Sequence, residues 1–543
     1  MVFARRSTTL LAAIIASCAM VLSLTACTSD NKTVVDGQTT VTSNSAGGVA
    51  VFTPSDGITL NQQTPLNKWA KLVPDLTKAL VDAGFKKGDI NHTTSDSLDK
   101  QSRAIQDFVV DHLSNNTTDD SGIAIAPDNM TLLVAPVVEA DASTRQYGDY
   151  VSQNLSTNDV TDEGATSDGE SSEDDSSKDD SSNTESDSTA SDEQAQAVDR
   201  LVSSLKLAKE SGMHVVLLGN SIEGYKPDAF VKFSDAQTIG KLQAEKMVSK
   251  LKLDKASKDN PKYIEVLLPY TAVDEKGNAN DSTFAQEAFR GIWQVLGSYY
   301  QKGVVESPSG TLDGKSTEND WQAVAYDAAK EGSTAKVLDK RLAKTDGQST
   351  LTRIDGIITM NDYIASEVVK ELDDLGYTGS AADINPQITI SGIVGNITGK
   401  KDLSRDAVPD PIKSPENDNA NDSSSSDDDA DEDTSASDKD RDSQWPLVTG
   451  YGAYVSNIPS IVNGKQWMTG MEDRQTIAKD IAQACAKLNK DEALNSMPSI
   501  RNSEVGGVKK IPTISEPLLA VSASNLKSAL IDPGYISLAD AGL

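Results

Sequence analysis

Cysteine and histidine are nearly missing from this chain. Three of each occur in 543 residues, too few for a zinc cluster or a disulfide-stapled scaffold. Aromatic residues make up only 5%. Positive charge is also scarce: 50 Lys and Arg stand against 82 Asp and Glu, a formal charge of −32. Binding a phosphate backbone needs clustered Lys and Arg, so nucleic acid is not an expected partner. The acid is unevenly spread. Asn154–Gln194 holds 14 acidic residues against Lys178, and Ser414–Ser443 holds 12 against Lys439 and Arg441. Those segments carry −13 and −10, or −23 of the −32, and leave −9 for the rest. Both read as disordered acidic linkers, because they lack the apolar residues that would offset the entropy of ordering them. They also lack the Gly-bearing loop of a Ca²⁺ site.

Catalytic signatures are lacking too. Gly219-Asn220-Ser221-Ile222-Glu223 is without the second Gly of a nucleophile elbow. Gly450-Tyr451-Gly452 is without the third Gly of a dinucleotide loop, and no Gly-Lys-Ser/Thr phosphate loop occurs. His92, His112 and His214 are scattered, and His214 precedes an apolar strand as a structural residue would. With no nucleophile–base arrangement, the chain does not read as an enzyme. No catalytic residue, metal ligand or cofactor is expected.

What the chain does have begins at its N-terminus. Arg5 and Arg6 precede a mostly apolar run, Thr9–Leu24, too short and too rich in Ser and Thr for a comfortable membrane span. The run ends in Leu24-Thr25-Ala26-Cys27, which resembles the bacterial lipobox. That resemblance makes residues 1–27 a signal peptide, Cys27 the lipidated first residue of the mature chain, and the protein extracytoplasmic and membrane-anchored. Residues 28–47 are rich in Ser, Thr and Asn and read as a flexible tether. Cys485 sits in a helical pattern, Ile477–Leu488, as a buried unreactive thiol.

The remainder alternates strands and helices, and its length suits two or three domains. Short apolar runs at Gly48–Phe52, Thr131–Val138, His214–Leu218, Ile264–Leu268, Gly356–Thr359 and Leu447–Thr449 read as buried parallel strands. Ile388–Val394 also reads as a strand. Helical spacing marks Trp69–Phe85, Gln101–Leu113, Ala195–Ser211, Gly240–Leu251, Phe284–Gln301, Trp321–Ala329 and Tyr363–Leu375. The alternation predicts an α/β fold with right-handed crossovers, and its six to nine units suit two doubly wound sheets rather than one. In such sheets ligands sit beyond the carboxyl ends of the strands. Those loops carry Thr53-Pro54, Gly219-Asn220-Ser221, Asn361-Asp362 and Gly450-Tyr451, small and polar with an aromatic nearby.

Several blocks resemble the sugar-binding proteins of ABC transporters, in particular the xylose and multiple-monosaccharide branch. They are Phe230–Gly240 (FVKFSDAQTIG), Ile354–Asp362 (IDGIITMND), Val448-Thr449-Gly450, Ile461–Gly464, Gln466–Thr469, and Lys510–Pro517 through Asp532–Tyr535. The resemblance runs from Gly48 to Leu543, outside the two acidic inserts. It implies a type I periplasmic-binding fold: two lobes, three crossing segments and a sugar in the cleft. Arg290 matches a ligand arginine whose fork suits two hydroxyls. Asn361 matches a ligand amide, with Asp362 beside it as a ligand or as the cap of the next helix. Trp69 and Trp321 fall where the family stacks aromatics on the ring. Gly219-Asn220 stands where the family usually shows Asp-Arg, Gly450-Tyr451-Gly452 where it shows Gly-Gln-Asp, and the Lys expected just past Met468-Thr469 is replaced around Met471-Glu472; Asn220 and Tyr451 remain the candidate ligands of those loops. Several charged sugar ligands are therefore absent.

The expected layout is lobe one over 48–222 with the acidic insert 154–194, lobe two over 223–466 with the insert 414–443, a return to lobe one over 467–506, and a C-terminal crossing segment over 507–543. The expected function is sugar capture for an ABC permease by a lipid-anchored monomer. The alternative is a sensor or scaffold outside transport that keeps the fold. A lipobox cysteine receives a diacyl-glyceryl group, which anchors far more firmly than one acyl chain. Cys27→Ala should therefore release the protein to the medium or block its processing. Unchanged detergent-phase partitioning of the variant would contradict the assignment.

Overall fold

The computed structural model describes residues 32–35, 38–41, 46–55, 65–115, 125–138, 142–151, 153–156, 185–273, 280–328, 330–343, 351–381 and 445–543. Cys27, the strand expected at Ile388–Val394 and the insert Ser414–Ser443 lie outside them. The chain divides into two compact units, residues 1–45 and 46–543. In the first, Lys32–Val35 pairs antiparallel with Gln38–Val41. The stretch read as a tether thus contains a short hairpin. Thr and Val favour strands, and Asp36-Gly37 between two such runs is a strong hairpin signal.

The second unit holds two sheets. One has seven strands in the order Ile500–Val505, Val508–Ser515, Ala229–Lys232, His214–Leu218, Met130–Val134, Gly48–Pro54 and Ile90–Ser95. All its neighbours are parallel except the first pair, a hairpin. Alternate side chains on each strand point to opposite faces. Val49 and Val51 meet the helices Trp69–Asp82 and Arg474–Leu488 in one core. Ala50 and Phe52 meet Leu98–Asn115 and Glu185–Glu210 in another. Cys485 is fully buried in the first core, where burial pushes its thiol far above the usual range.

The other sheet has six strands: Val305–Glu306, Lys262–Val266, Gly356–Ile358, Leu447–Tyr451, Met468–Met471 and the antiparallel edge Leu519–Ser522. Helices Ala236–Leu251 and Thr283–Gln301 cover one face. Ser333–Arg341 and Asp362–Leu375 cover the other. The molecule is thus α/β and two-lobed, each lobe a doubly wound sheet flanked by helices. Among the described residues no helix is long and apolar enough to cross a membrane.

Two of the expected helices have different bounds in the structure. The helix expected over Trp321–Ala329 stops at Val324, because Ala325–Tyr326 pairs as a short strand with Leu268–Pro269. The helix expected from Ala195 begins at Glu185, inside the acidic segment. Glu, Gln and Ala are good helix formers, and acidic side chains suit a helix N-terminus. At the other end of that insert, Asn154–Leu155 pairs with Ser221–Ile222. Residues 157–184 lie outside the described residues.

The second lobe depends on a close helix pair. A Cβ on Gly291 would lie 2.0 Å from the Gln237 carbonyl oxygen, and one on Gly240 2.2 Å from that of Ala288. Neither backbone atom can step aside as a flexible side chain would. Gly291→Ala should therefore destabilise by ~1–3 kcal/mol, as overpacking does. At ~2–4 °C per kcal/mol the melting temperature should fall by several degrees. An unchanged melt would show that the two helices slide apart at no cost.

Candidate binding cleft

The chain crosses between the sheets three times: after Lys232 into the helix that starts at Ala236, after Met471 into the helix that starts at Arg474, and after Ser515 into the strand that starts at Leu519. The first two crossings are tied together by one carboxylate. Glu472 Oε1 accepts from the Ser234 backbone N–H at 2.6 Å and from the Ser234 hydroxyl at 2.5 Å. The same hydroxyl meets the Tyr451 hydroxyl at 2.5 Å. The Glu472 N–H reaches Asn67 Oδ1 at 3.4 Å. Glu472 is 1% exposed, and burial pushes its carboxyl up to about 7 against the pull of these donors. Burial, followed by the nearby Glu472 charge, also raises the Tyr451 hydroxyl well above its ordinary value.

Above this cluster lie the loops after the sheet strands. In the second lobe, Asn361 and Asp362 follow the strand Gly356–Ile358. Asn361 Oδ1 accepts from the Ile364 N–H at 2.9 Å and so caps the helix, which leaves its Nδ2 group facing the first lobe. Asp362 is fully committed to its own lobe. It accepts from Tyr454 N–H at 2.9 Å, Thr469 Oγ1 at 2.8 Å and Gln466 Nε2 at 2.7 Å. Burial outweighs those donors and moves its carboxyl up to about 6. The loops hold left-handed backbone at two non-glycine residues, Met360 (φ +67°) and Ala453 (φ +49°). Such conformations cost ~1–2 kcal/mol each and tend to gather at binding sites. Met360 is held by Gln243 Nε2, which donates to its carbonyl at 2.9 Å.

In the first lobe, Asn220 is buried and structural. Its Nδ2 donates to the Pro136 carbonyl at 2.9 Å, and its Oδ1 accepts from Gln153 N–H at 3.0 Å. Trp69 is buried between Tyr150 and Phe233, with ring centroids 5.1 and 5.7 Å away. Asn67 is 1% exposed, and its Nδ2 finds no hydrogen-bond acceptor among the described residues.

A piece of the first lobe's own chain enters this cleft. Gln146 Oε1 accepts from Asn361 Nδ2 at 3.1 Å, and the Gln146 carbonyl accepts from the Tyr454 hydroxyl at 2.7 Å. The Tyr147 ring belongs to the second lobe's core, 4.8 Å from Phe284 and 6.3 Å from Tyr451. Asp149 turns back to the first lobe. It accepts from Lys68 Nζ at 2.9 Å and from Trp69 N–H at 3.1 Å. Gly148 takes φ +97°, and a Cβ there would meet the Asn67 carbonyl oxygen at 2.6 Å.

The structure therefore gathers Asn361, Asp362 and Tyr451 in one lobe, and Trp69 and Asn220 in the other. Arg290 stands apart: its guanidinium pairs with Glu287 one turn back on its helix, and its side chain is 40% exposed. Trp321 packs edge-on to Tyr270 at 5.2 Å in the second lobe. Sequence reasoning passed over Asn67, Gln146, Tyr147 and Ser234, although Glu472 was marked as a changed position. Gln146 and Tyr147 lie in a polar stretch with no periodicity to flag them.

No family model and no curated protein matches the chain. Among solved structures it is similar to an ABC transporter solute binding protein from Clostridium phytofermentans with bound β-D-glucose, at 16% identity over 91% of this chain and 99% of that one, with a TM-score of 0.44. It is also similar to a carbohydrate transporter solute binding protein from Chloroflexus aurantiacus in complex with D-glucose (18% identity, 92% and 98% covered, TM-score 0.42). A third is an ABC transporter solute binding protein from Bacillus halodurans with bound myo-inositol (11%, 90% and 98%, TM-score 0.36). Identity at these levels does not tell which solute a chain binds.

The Glu472 cluster generates a pH dependence. A carboxyl whose folded pKa lies above its unfolded value stabilises the fold at low pH, and that contribution is lost as pH rises through the folded value. For Glu472 the window runs from 4.5 to about 7, at ~1.4 kcal/mol per pH unit. Glu472→Gln keeps an acceptor for Ser234 and cannot ionise. The wild-type melting temperature should fall more steeply between pH 5 and pH 8 than that of the variant. Equal slopes would show that Glu472 titrates as it does in the unfolded chain.

Proposed function

We propose that the chain is the solute-binding lipoprotein of an ABC importer, which captures a neutral sugar of monosaccharide size between its two lobes and presents it to a permease. The observation that carries this reading is the hinge. Crossings that join both lobes at one buried Ser234–Glu472 contact let the lobes close on a ligand without unfolding either sheet. The cleft above the hinge offers amides and aromatic rings, which suit hydroxyls and a sugar face. Asn361 supplies the second lobe's amide, Asn67 the first lobe's, and the Trp69 cluster an aromatic wall. The lipobox-like ending Leu24-Thr25-Ala26-Cys27 supports a location outside the cytoplasm, where a permease would meet the protein.

A second reading is a sensor or scaffold that kept the fold, and one observation favours it: Gln146 and Tyr147 already take up bonds and contacts that a sugar would use.

A thermal-shift screen against monosaccharides separates the two readings, because a ligand at a hundred times its Kd adds ~2.7 kcal/mol. Leaving a buried hydroxyl partner unpaired costs ~1–3 kcal/mol. Asn361→Ala should therefore weaken the Kd of the sugar found by roughly ten- to a hundredfold in calorimetry. Arg290→Ala asks whether its guanidinium leaves Glu287 for the ligand: a comparable loss adds it to the ligand set, and no loss leaves it a surface ion pair. If no sugar shifts the melt, the sensor or scaffold reading takes over. If a sugar binds and Asn361→Ala does not change its Kd, the cleft assignment fails.

A further inference from the structure

The strand Met130–Val134 and the helix Glu185–Glu210 belong to one crossover in the first lobe, with only the one-turn helix Ala142–Arg145 and the two-residue strand Asn154–Leu155 described between them. The connection between them, residues 135–184, is fifty residues long. Strand-to-helix loops in such units take roughly 2–6. The strand lies inside the seven-stranded sheet, between His214–Leu218 and Gly48–Pro54. Its carboxyl end opens onto the cleft, so the extra chain leaves from the place where a doubly wound sheet holds its ligand.

Part of that connection is seated in the cleft and fastened on both sides. Gln146 gives the second lobe an amide oxygen and a carbonyl oxygen, and Asn361 and Tyr454 donate to them. Tyr147 gives it an aromatic ring set beside Phe284 and Tyr451. Asp149 holds the segment to Lys68 and Trp69 of the first lobe. Acceptor oxygens next to a ring that lies against aromatic side chains are the chemistry of a bound polyhydroxy ring. The imitation is incomplete, because Asn67 Nδ2 lies buried beside Gly148 without an acceptor. A buried donor left in that state costs ~1–3 kcal/mol, and a ligand hydroxyl would supply what the segment does not.

We propose that Gln146–Asp149 is an internal occupant of the cleft, a strap that holds the two lobes together and that a sugar must displace. The proposal rests on the cleft being the ligand site. A binding-competent state populated for only part of the time weakens the apparent affinity by that fraction. The strap therefore sets a threshold concentration below which the cleft stays filled by its own chain.

The test uses the full mature chain carrying Cys27→Ser, with spin labels at Lys78→Cys and Lys340→Cys, exposed positions on helices of the two lobes. Cys485 is buried and does not compete for label. In the otherwise unchanged chain, in Tyr147→Ser and in Gln146→Ala, the interlobe distance and the calorimetric Kd for D-glucose and D-xylose are measured. The strap predicts longer and broader distances in both variants and at least tenfold tighter binding of any sugar that binds the parent. Unchanged distances in both variants overturn it, and so does a Kd equal in all three chains. Longer distances with no sugar bound by any chain uphold the strap and overturn the sugar reading. If Tyr147→Ser loses its cooperative melt, Gln146→Ala decides, because it leaves the packed ring in place.

Discussion

The contact between Ser234 and Glu472 is the constraint on which the rest of the molecule depends. Each lobe has its own sheets, helices and cores, and either would be an ordinary doubly wound domain. What makes one machine of them is that two of the three crossings are pinned to each other by a single buried carboxyl, with the Tyr451 hydroxyl closing the cluster. Burying such a group is costly unless its oxygens are hydrogen-bonded, and here one oxygen receives both donors of Ser234. The result is one buried point at which two of the three crossings meet.

Two buried acids lie at the cleft's floor and in its second lobe, Glu472 and Asp362. Glu472 is turned inward to the crossings, and Asp362 is bonded by Tyr454, Thr469 and Gln466 of its own lobe. The remaining donors at the mouth are amides and a phenol. They are met by Gln146, an amide itself, and by the Tyr147 ring. The two side chains that meet the second lobe are uncharged, while the one acid of the segment, Asp149, turns away to Lys68 of the first lobe.

Much of the scaffold was legible from apolar runs. Gly48–Phe52, His214–Leu218 and Leu447–Thr449 are strands because both faces of a parallel sheet are covered. Ile90–Ser95 escaped notice because its middle, Asn-His-Thr-Thr, is exposed on an edge, and Met468–Met471 because Met-Thr-Gly-Met carries little strand propensity. Helix Ser333–Arg341 is short and mostly polar. At the cleft, Asn361 and Tyr451 could be placed because strand ends are marked by the sheet pattern. Gln146 and Tyr147 could not, since their importance comes from contacts with residues more than a hundred positions away, which no local pattern encodes. Arg290 shows the reverse: a residue type suited to hydroxyls, which the helix surface pairs with Glu287 instead.

Peptide-resolved hydrogen exchange on the mature chain, with and without a saturating monosaccharide, tests the whole account most directly. It predicts that the Ser234 amide, held by Glu472, stays protected in both states, while the amides of Gln146–Tyr150 lose protection when sugar is bound and those around Asn361 and Tyr454 do not. Unchanged exchange over Gln146–Tyr150 at saturation, or loss of protection at Ser234, would contradict a fixed hinge beneath a cleft that exchanges its own chain for a ligand.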